Sequence, residues 1–123
     1  MAGALENITS PMRKTLSQAN VNVTDNMITQ LIPAVAGTRI KVVRLEIGSD
    51  TAAKFNLRSG NSDDIVAIHL PQDTGHYESA PDGEGKYICN SGEALTIQSD
   101  AAALDANVYV RYYYDSSPGD YSG

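Results

Sequence analysis

Tryptophan is absent from the chain, and cysteine and phenylalanine occur once each. The single thiol, Cys89, excludes an internal disulfide, and its setting in "YICNS" marks it as a small, inert strand residue. The lack of tryptophan weakens a carbohydrate-stacking platform, because the tyrosines that could replace it gather on one strand rather than in loops. Positive charge is scarce: 9 Lys and Arg against 15 Asp and Glu give a net charge of −6. That balance argues against general binding to nucleic acid or to anionic membranes, both of which run on cations neutralising phosphate. No apolar run approaches bilayer-spanning length. The opening "MAGALENITSPMRKT" lacks the basic start and apolar stretch of a secretory signal. Synthesis in a cytoplasm is the expectation, and the two Asn-x-Thr sequons at Asn7 and Asn22 are then chance matches.

The signatures of catalysis are missing as well. There is no phosphate-cradling Gly-Lys-Ser/Thr run, no dinucleotide fingerprint and no nucleophile elbow around "GSDT". Two histidines, His69 and His76, with Asp73 between them are the first residues to inspect for a metal, but their spacing matches no short ligand motif. "PDGEG" at 81–85 holds Asp82 and Glu84 in turn chemistry and lacks the longer oxygen-ligand pattern of a calcium loop. Cys89 has no local signature that would pair it with a histidine as a nucleophile. The expectation is a protein with no catalytic residues, no metal and no cofactor.

What the chain does contain is strands. "AAKFNLRSG" alternates, with Ala53, Phe55 and Leu57 on one face and Lys54, Asn56 and Arg58 on the other. In "RIKVVRLEIG" the apolar parity switches from Ile40 and Val42 to Val43, Leu45 and Ile47, which fits a β-bulge or a strand covered on both sides. Pro33 closes "MITQLIPAV". "IVAIHL", "KYIC", "ALTIQS" and "VYVRYYY" follow, with a short strand around His76 to Glu78 inside an otherwise long loop. About 7–8 short strands at roughly ten-residue spacing predict an all-β, single antiparallel sandwich or jelly roll. The expected organisation is an extended N-terminal arm over residues 1–25, a sandwich over 26–115 and a polar tail over 116–123. Stretched fully, such an arm reaches roughly 80–90 Å, well beyond its own domain.

Four of the seven tyrosines lie in "VYVRYYYD", residues 108–115. Val108, Val110, Tyr112 and Tyr114 read as the inner face, the tyrosine hydroxyls finding partners near the rim. The other parity, Tyr109, Arg111 and Tyr113, then faces outward where Lys or Thr would be ordinary. Tyr is favoured in strands by propensity alone, yet Tyr and Arg are also the residues enriched at interface hot spots, so these three are the candidate subunit or capsid interface.

Four stretches in order, "LIPAVAGTRIKVVRLEI" (31–47), "KFNLRSG" (54–60), "SGEALTIQS" (91–99) and "NVYVRYYY" (107–114), resemble the small β-sandwich proteins of tailed-bacteriophage structural gene clusters. The chain is similar to head decoration, or cement, proteins over about residues 28–114, and some such proteins look like tail or fibre components. The resemblance brings no catalytic residues; Gly37 and Gly92-Glu93, which match its pattern, read as turn residues. It implies a virion protein on the outside of the capsid that stabilises the head by bridging subunits of the major capsid protein, most simply as a trimer; the charge balance adds the expectation that neither nucleic acid nor membrane is a partner. The alternative it leaves open is a tail or head-fibre module that recognises a host surface glycan. On the first reading Leu5, Ile8, Met12 and Leu16 anchor the arm on a neighbour, and Arg13 and Lys14 meet acidic capsid surface.

Overall fold

The computed structural model describes residues 16–80 and 85–116. Among them lie nine strands and no helix: β1 (Ser17–Val23), β2 (Thr29–Ile32), β3 (Arg39–Ser49), β4 (Ala53–Ser59), β5 (Asp63–Leu70), β6 (Thr74–Ser79), β7 (Tyr87–Ile88), β8 (Leu95–Ser99) and β9 (Ala106–Asp115). One sheet runs β1-β9-β3-β6, with the two-residue β7 also on β3, and the other runs β2-β8-β4-β5. Every pairing is antiparallel. Leaving β7 aside, the pairs β1–β9, β2–β8, β3–β6 and β4–β5 join first strand to last, second to second-last, and so inward. That is one long antiparallel hairpin rolled up so that β9 meets β3 and β8 meets β4. The expected jelly roll is therefore the observed fold.

The alternations read from the sequence set which side each strand buries. In β4, Ala53, Phe55 and Leu57 are buried while Lys54, Asn56 and Arg58 reach the surface. The parity switch in β3 is a bulge: the register against β9 slips between Val42 and Arg44. Because one residue is inserted there, Ile40 and Val42 before it and Leu45 and Ile47 after it all face the core. The inserted Val43 is held by its carbonyl, which accepts from the Ala80 amide at 2.8 Å. Between the sheets these residues meet Val23, Ile32, Phe55, Leu57, Leu95, Ile97, Val108 and Val110. Gly37 and Gly92 sit in turns at φ 79° and 75°, where a side chain would strain the backbone.

The N-terminal boundary differs from expectation. Residues 17–23, assigned to the arm, form β1 and pair along β9 from Ser17 opposite Tyr112 to Val23 opposite Ala106. The signal was present but weak: Ala19, Val21 and Val23 alternate with Gln18, Asn20 and Asn22, and only small apolar groups mark the inner side. The loop around His76 also proved shorter, since β6 is a six-residue strand paired with β3 from Arg44 to Ser49. Arm positions Leu5, Ile8, Met12, Arg13 and Lys14, the turn residues Asp82 and Glu84, and all of the tail after Ser116 lie outside the described residues.

Candidate functional site

The outer face of the β1-β9-β3-β6 sheet carries the most unusual chemistry of the molecule, and register lays it out in three rows. Gln18, Arg111, Arg44 and Ser79 form the first; Asn20, Tyr109, Glu46 and Tyr77 the second; Asn22, Asn107, Gly48 and Gly75 the third. In the first row two guanidinium groups stand opposite each other, an arrangement that repels. Arg44 is compensated: its Nε and Nη2 each approach Glu46 Oε2 at 2.8 Å, and its guanidinium stacks 4.8 Å from the centre of the Tyr77 ring. Arg111 is exposed and makes no ion pair or side-chain hydrogen bond among the described residues.

The three residues expected to form the interface separate here. Arg111 points to solvent, and Tyr109 is half-buried with its hydroxyl donating to Gln18 Oε1 at 2.6 Å. Tyr113 is only 6% exposed within the single chain, so little of it remains to meet a partner. The cause is local. Tyr113 lies opposite Lys41, which is ion-paired with Asp115, and the chain passes close over Lys41 at Gly85, where an added Cβ would come within 2.8 Å of the lysine Cβ. The inner parity behaves as expected. Val108 and Val110 are fully buried, Tyr112 and Tyr114 pack edge to face with ring centres 5.6 Å apart, and the Tyr114 hydroxyl donates to the Pro33 carbonyl at 2.8 Å. The two outward tyrosines therefore respond differently to truncation. Tyr113→Ser loses about 2–3 kcal/mol of stability through the void it leaves, whereas Tyr109→Ser stays within about 1 kcal/mol. Urea denaturation of each single variant reads the difference; equal small losses would return Tyr113 to the surface.

The third row is a trench. Gly48 and Gly75 face each other across β3 and β6, and together with Tyr77, Tyr109, Glu46 and Asn107 they line a groove of about 390 Å³. Sequence reasoning missed Tyr77, Gly48 and Gly75, because their meeting depends on the pairing of two strands separated by β4 and β5.

Elsewhere the polar groups are structural. Glu93 Oε1 accepts from Ser59 Oγ at 2.7 Å and from Asn90 Nδ2 at 3.2 Å, while the Asn90 amide donates to Ser59 Oγ, so the Gly92-Glu93 turn is clamped onto the end of β4. Glu78 gathers the Tyr87 hydroxyl at 2.6 Å, the Lys86 ammonium at 3.4 Å and the His76 Nε2. Burial alone would raise its carboxyl, but the bonds from Tyr87, His76 and Lys86 outweigh it and hold the group below the usual carboxylate range. His69 lies opposite Lys54 in the other sheet, His76 opposite Ile47, and Asp73 in the turn between β5 and β6, so the structure does not gather them. No group of three His, Cys, Asp or Glu among the described residues could hold a metal. Burial pushes the Cys89 thiol up to about 11, which keeps it protonated and unreactive near neutral pH.

No protein-family model matches the chain, and no curated protein matches it in sequence. Among solved structures, its fold is similar to that of a chain in the acid-stable capsid of Helicobacter pylori bacteriophage KHP30, with a TM-score of 0.56 and 11% identity over 85% of this chain and 92% of that one. Looser likenesses are to a disulfide-linked pilus chain of Bacillus endospore appendages, at a TM-score of 0.44 and 14% identity over 82% and 90%, and to a chain of the cyanophage Pam1 capsid asymmetric unit, at 0.43 and 14% over 80% and 83%.

Proposed function

We propose that this chain is a structural protein of a bacteriophage virion and, within that class, a decoration protein that binds the outside of the assembled head across neighbouring subunits of the major capsid protein. The observation that carries the reading is a whole-domain jelly roll, shared with a chain of a phage capsid, whose outer sheet face offers an unpaired arginine beside a second one. An exposed guanidinium set opposite a like charge costs the isolated protein stability. The arrangement is accounted for if a carboxylate of a partner completes it. Decoration then works by mass action: a ligand that binds only the assembled lattice stabilises the lattice, and copies arranged as trimers at local threefold axes multiply the effect.

The arm is assigned the second contact, with Leu5, Ile8, Met12 and Leu16 packing on a neighbouring subunit and Arg13 and Lys14 meeting its acidic surface. Leu16, the one of these within the described residues, is exposed just ahead of β1. Removing residues 1–15 leaves all nine strands in the chain. The shortened protein is expected to melt with the full-length chain yet fail to sediment with purified heads; decoration at full strength would refute the assignment. Quantitative mass spectrometry of purified particles tests the role itself. A copy number near that of the major capsid protein supports decoration, a few copies per particle support the fibre alternative, and absence from the particle overturns both.

A further inference from the structure

The groove on the outer sheet face holds two facing glycines, and crowding inside the fold accounts for one of them: a Cβ on Gly75 would stand 3.3 Å from the Ile47 carbonyl oxygen, whereas Gly48 has no such neighbour. Glycine inside a strand weakens it by about 0.5–1 kcal/mol relative to alanine, and it marks a bulge, a bend or the close approach of another molecule. Neither the β3–β6 nor the β3–β9 register slips at Gly48, its φ is not positive, and an added Cβ would meet no heavy atom within 4 Å. Its bareness therefore relieves no crowding inside the molecule. What it does is open a flat backbone floor, continued by Gly75, beside two tyrosines and a carboxylate.

We propose that this groove is a carbohydrate-binding site for a neutral pyranose at the end or branch of an oligosaccharide. Three features select that chemistry. The first is the stacking wall. Tyr77 is 57% exposed although it sits mid-strand, and Arg44, held by Glu46, lies over its ring and fixes it in place. A preset aromatic ring suits the apolar C–H face of a sugar, and its ordering is already provided before the ligand arrives. The second is the set of polar groups. Both guanidinium contacts of Glu46 fall on Oε2, and no hydrogen bond of the described residues reaches its Oε1. That oxygen and the exposed side-chain amide of Asn107 are an acceptor and a donor–acceptor for ring hydroxyls. The third is charge. The carboxylate is paired with Arg44, no Lys or Arg lines the groove, and the His76 that does has its Nε2 on Glu78, so the lining does not select an acidic sugar or a phosphate. At about 390 Å³ the groove falls at the small end of the range for small-molecule sites, roughly 300–1,000 Å³, which suits one or two rings.

The site and the proposed capsid contact are neighbours on one sheet. The groove spans the rows of Asn107 and Tyr109, and Arg111 stands in the next row toward the Asp115 end of β9.

The plug Gly48→Val supplies the test. The space above Gly48 is vacant and valine favours strands, so the variant keeps the fold while filling the floor. The full-length protein is applied to an array of immobilised neutral and acidic oligosaccharides, and hits are titrated by calorimetry alongside the matching methyl pyranosides. The expected result is binding to neutral glycans that Gly48→Val and Tyr77→Ala each weaken by about tenfold or more, the scale of one lost stacking contact, with melting temperatures kept. Lack of any neutral-glycan binding by the wild type overturns the proposal. So does binding that both variants retain, or a groove plug that abolishes head binding or self-association while sugars never bind.

Discussion

Phe55→Ala lowers the unfolding free energy by about 3–5 kcal/mol, the largest loss expected of any single truncation in this chain. Phe55 is the only phenylalanine, it is fully buried, and it lies in β4, an inner strand of its sheet, opposite Ile68 on one side and Ser99 on the other. The core around it is otherwise aliphatic, with Leu57, Leu95 and Ile97 all fully buried and drawn from strands fixed on both sides. Such walls relax little, so the cavity term is added nearly whole to the lost transfer free energy. A domain of this size has only about 5–15 kcal/mol in total, so the variant stands near the edge of folding at physiological temperature. Urea titration gives the loss from a shifted midpoint at constant slope. A cost below about 1 kcal/mol would mean that the core closes around the gap.

Arg111→Glu is expected to leave folding untouched and to remove head binding. The side chain is exposed, and a carboxylate there faces Arg44 in register, converting a repulsive cross-strand pair into an attractive one. The melting temperature therefore stays level or rises slightly. Against an acidic capsid surface the same change substitutes repulsion for a charge pair, a swing on the order of 2–5 kcal/mol, or at least tenfold in affinity. Sedimentation with bare heads at two salt concentrations reads both effects, since a contact of this kind also weakens in the wild type as salt rises. Binding within twofold of wild type would remove Arg111 from the interface.

The sequence disclosed those features that live within one strand. The alternation around Phe55, the parity switch at Val43 and the valine face of β9 are periodic signals written in neighbouring residues, and the structure keeps all three. It hid the features that depend on which strands meet. β1 carries the right alternation, but in Ala and Val set among Asn and Gln it reads as an arm. Tyr113 has the outward parity of Tyr109, yet the fold buries it and leaves Tyr109 half-exposed, a difference no periodicity within β9 encodes. The facing glycines of the groove come from strands separated by β4 and β5, and register between distant strands is not a local property.

The rolled hairpin also governs how the chain comes into being. The innermost pair, β4 with β5, closes a short turn and needs nothing made later than Leu70. Each successive pair closes a longer loop at a rising entropic cost. The outermost pair is the extreme case: β1 precedes every other described strand in the chain, and its partner among them is β9, which follows them all. Until β9 is made, β1 is an unsatisfied edge, and so is the flank of β3 that β9 will cover. Polar Gln18, Asn20 and Asn22 along β1, the same side chains that disguised it as an arm, make that exposed edge a poor template for pairing with other nascent chains.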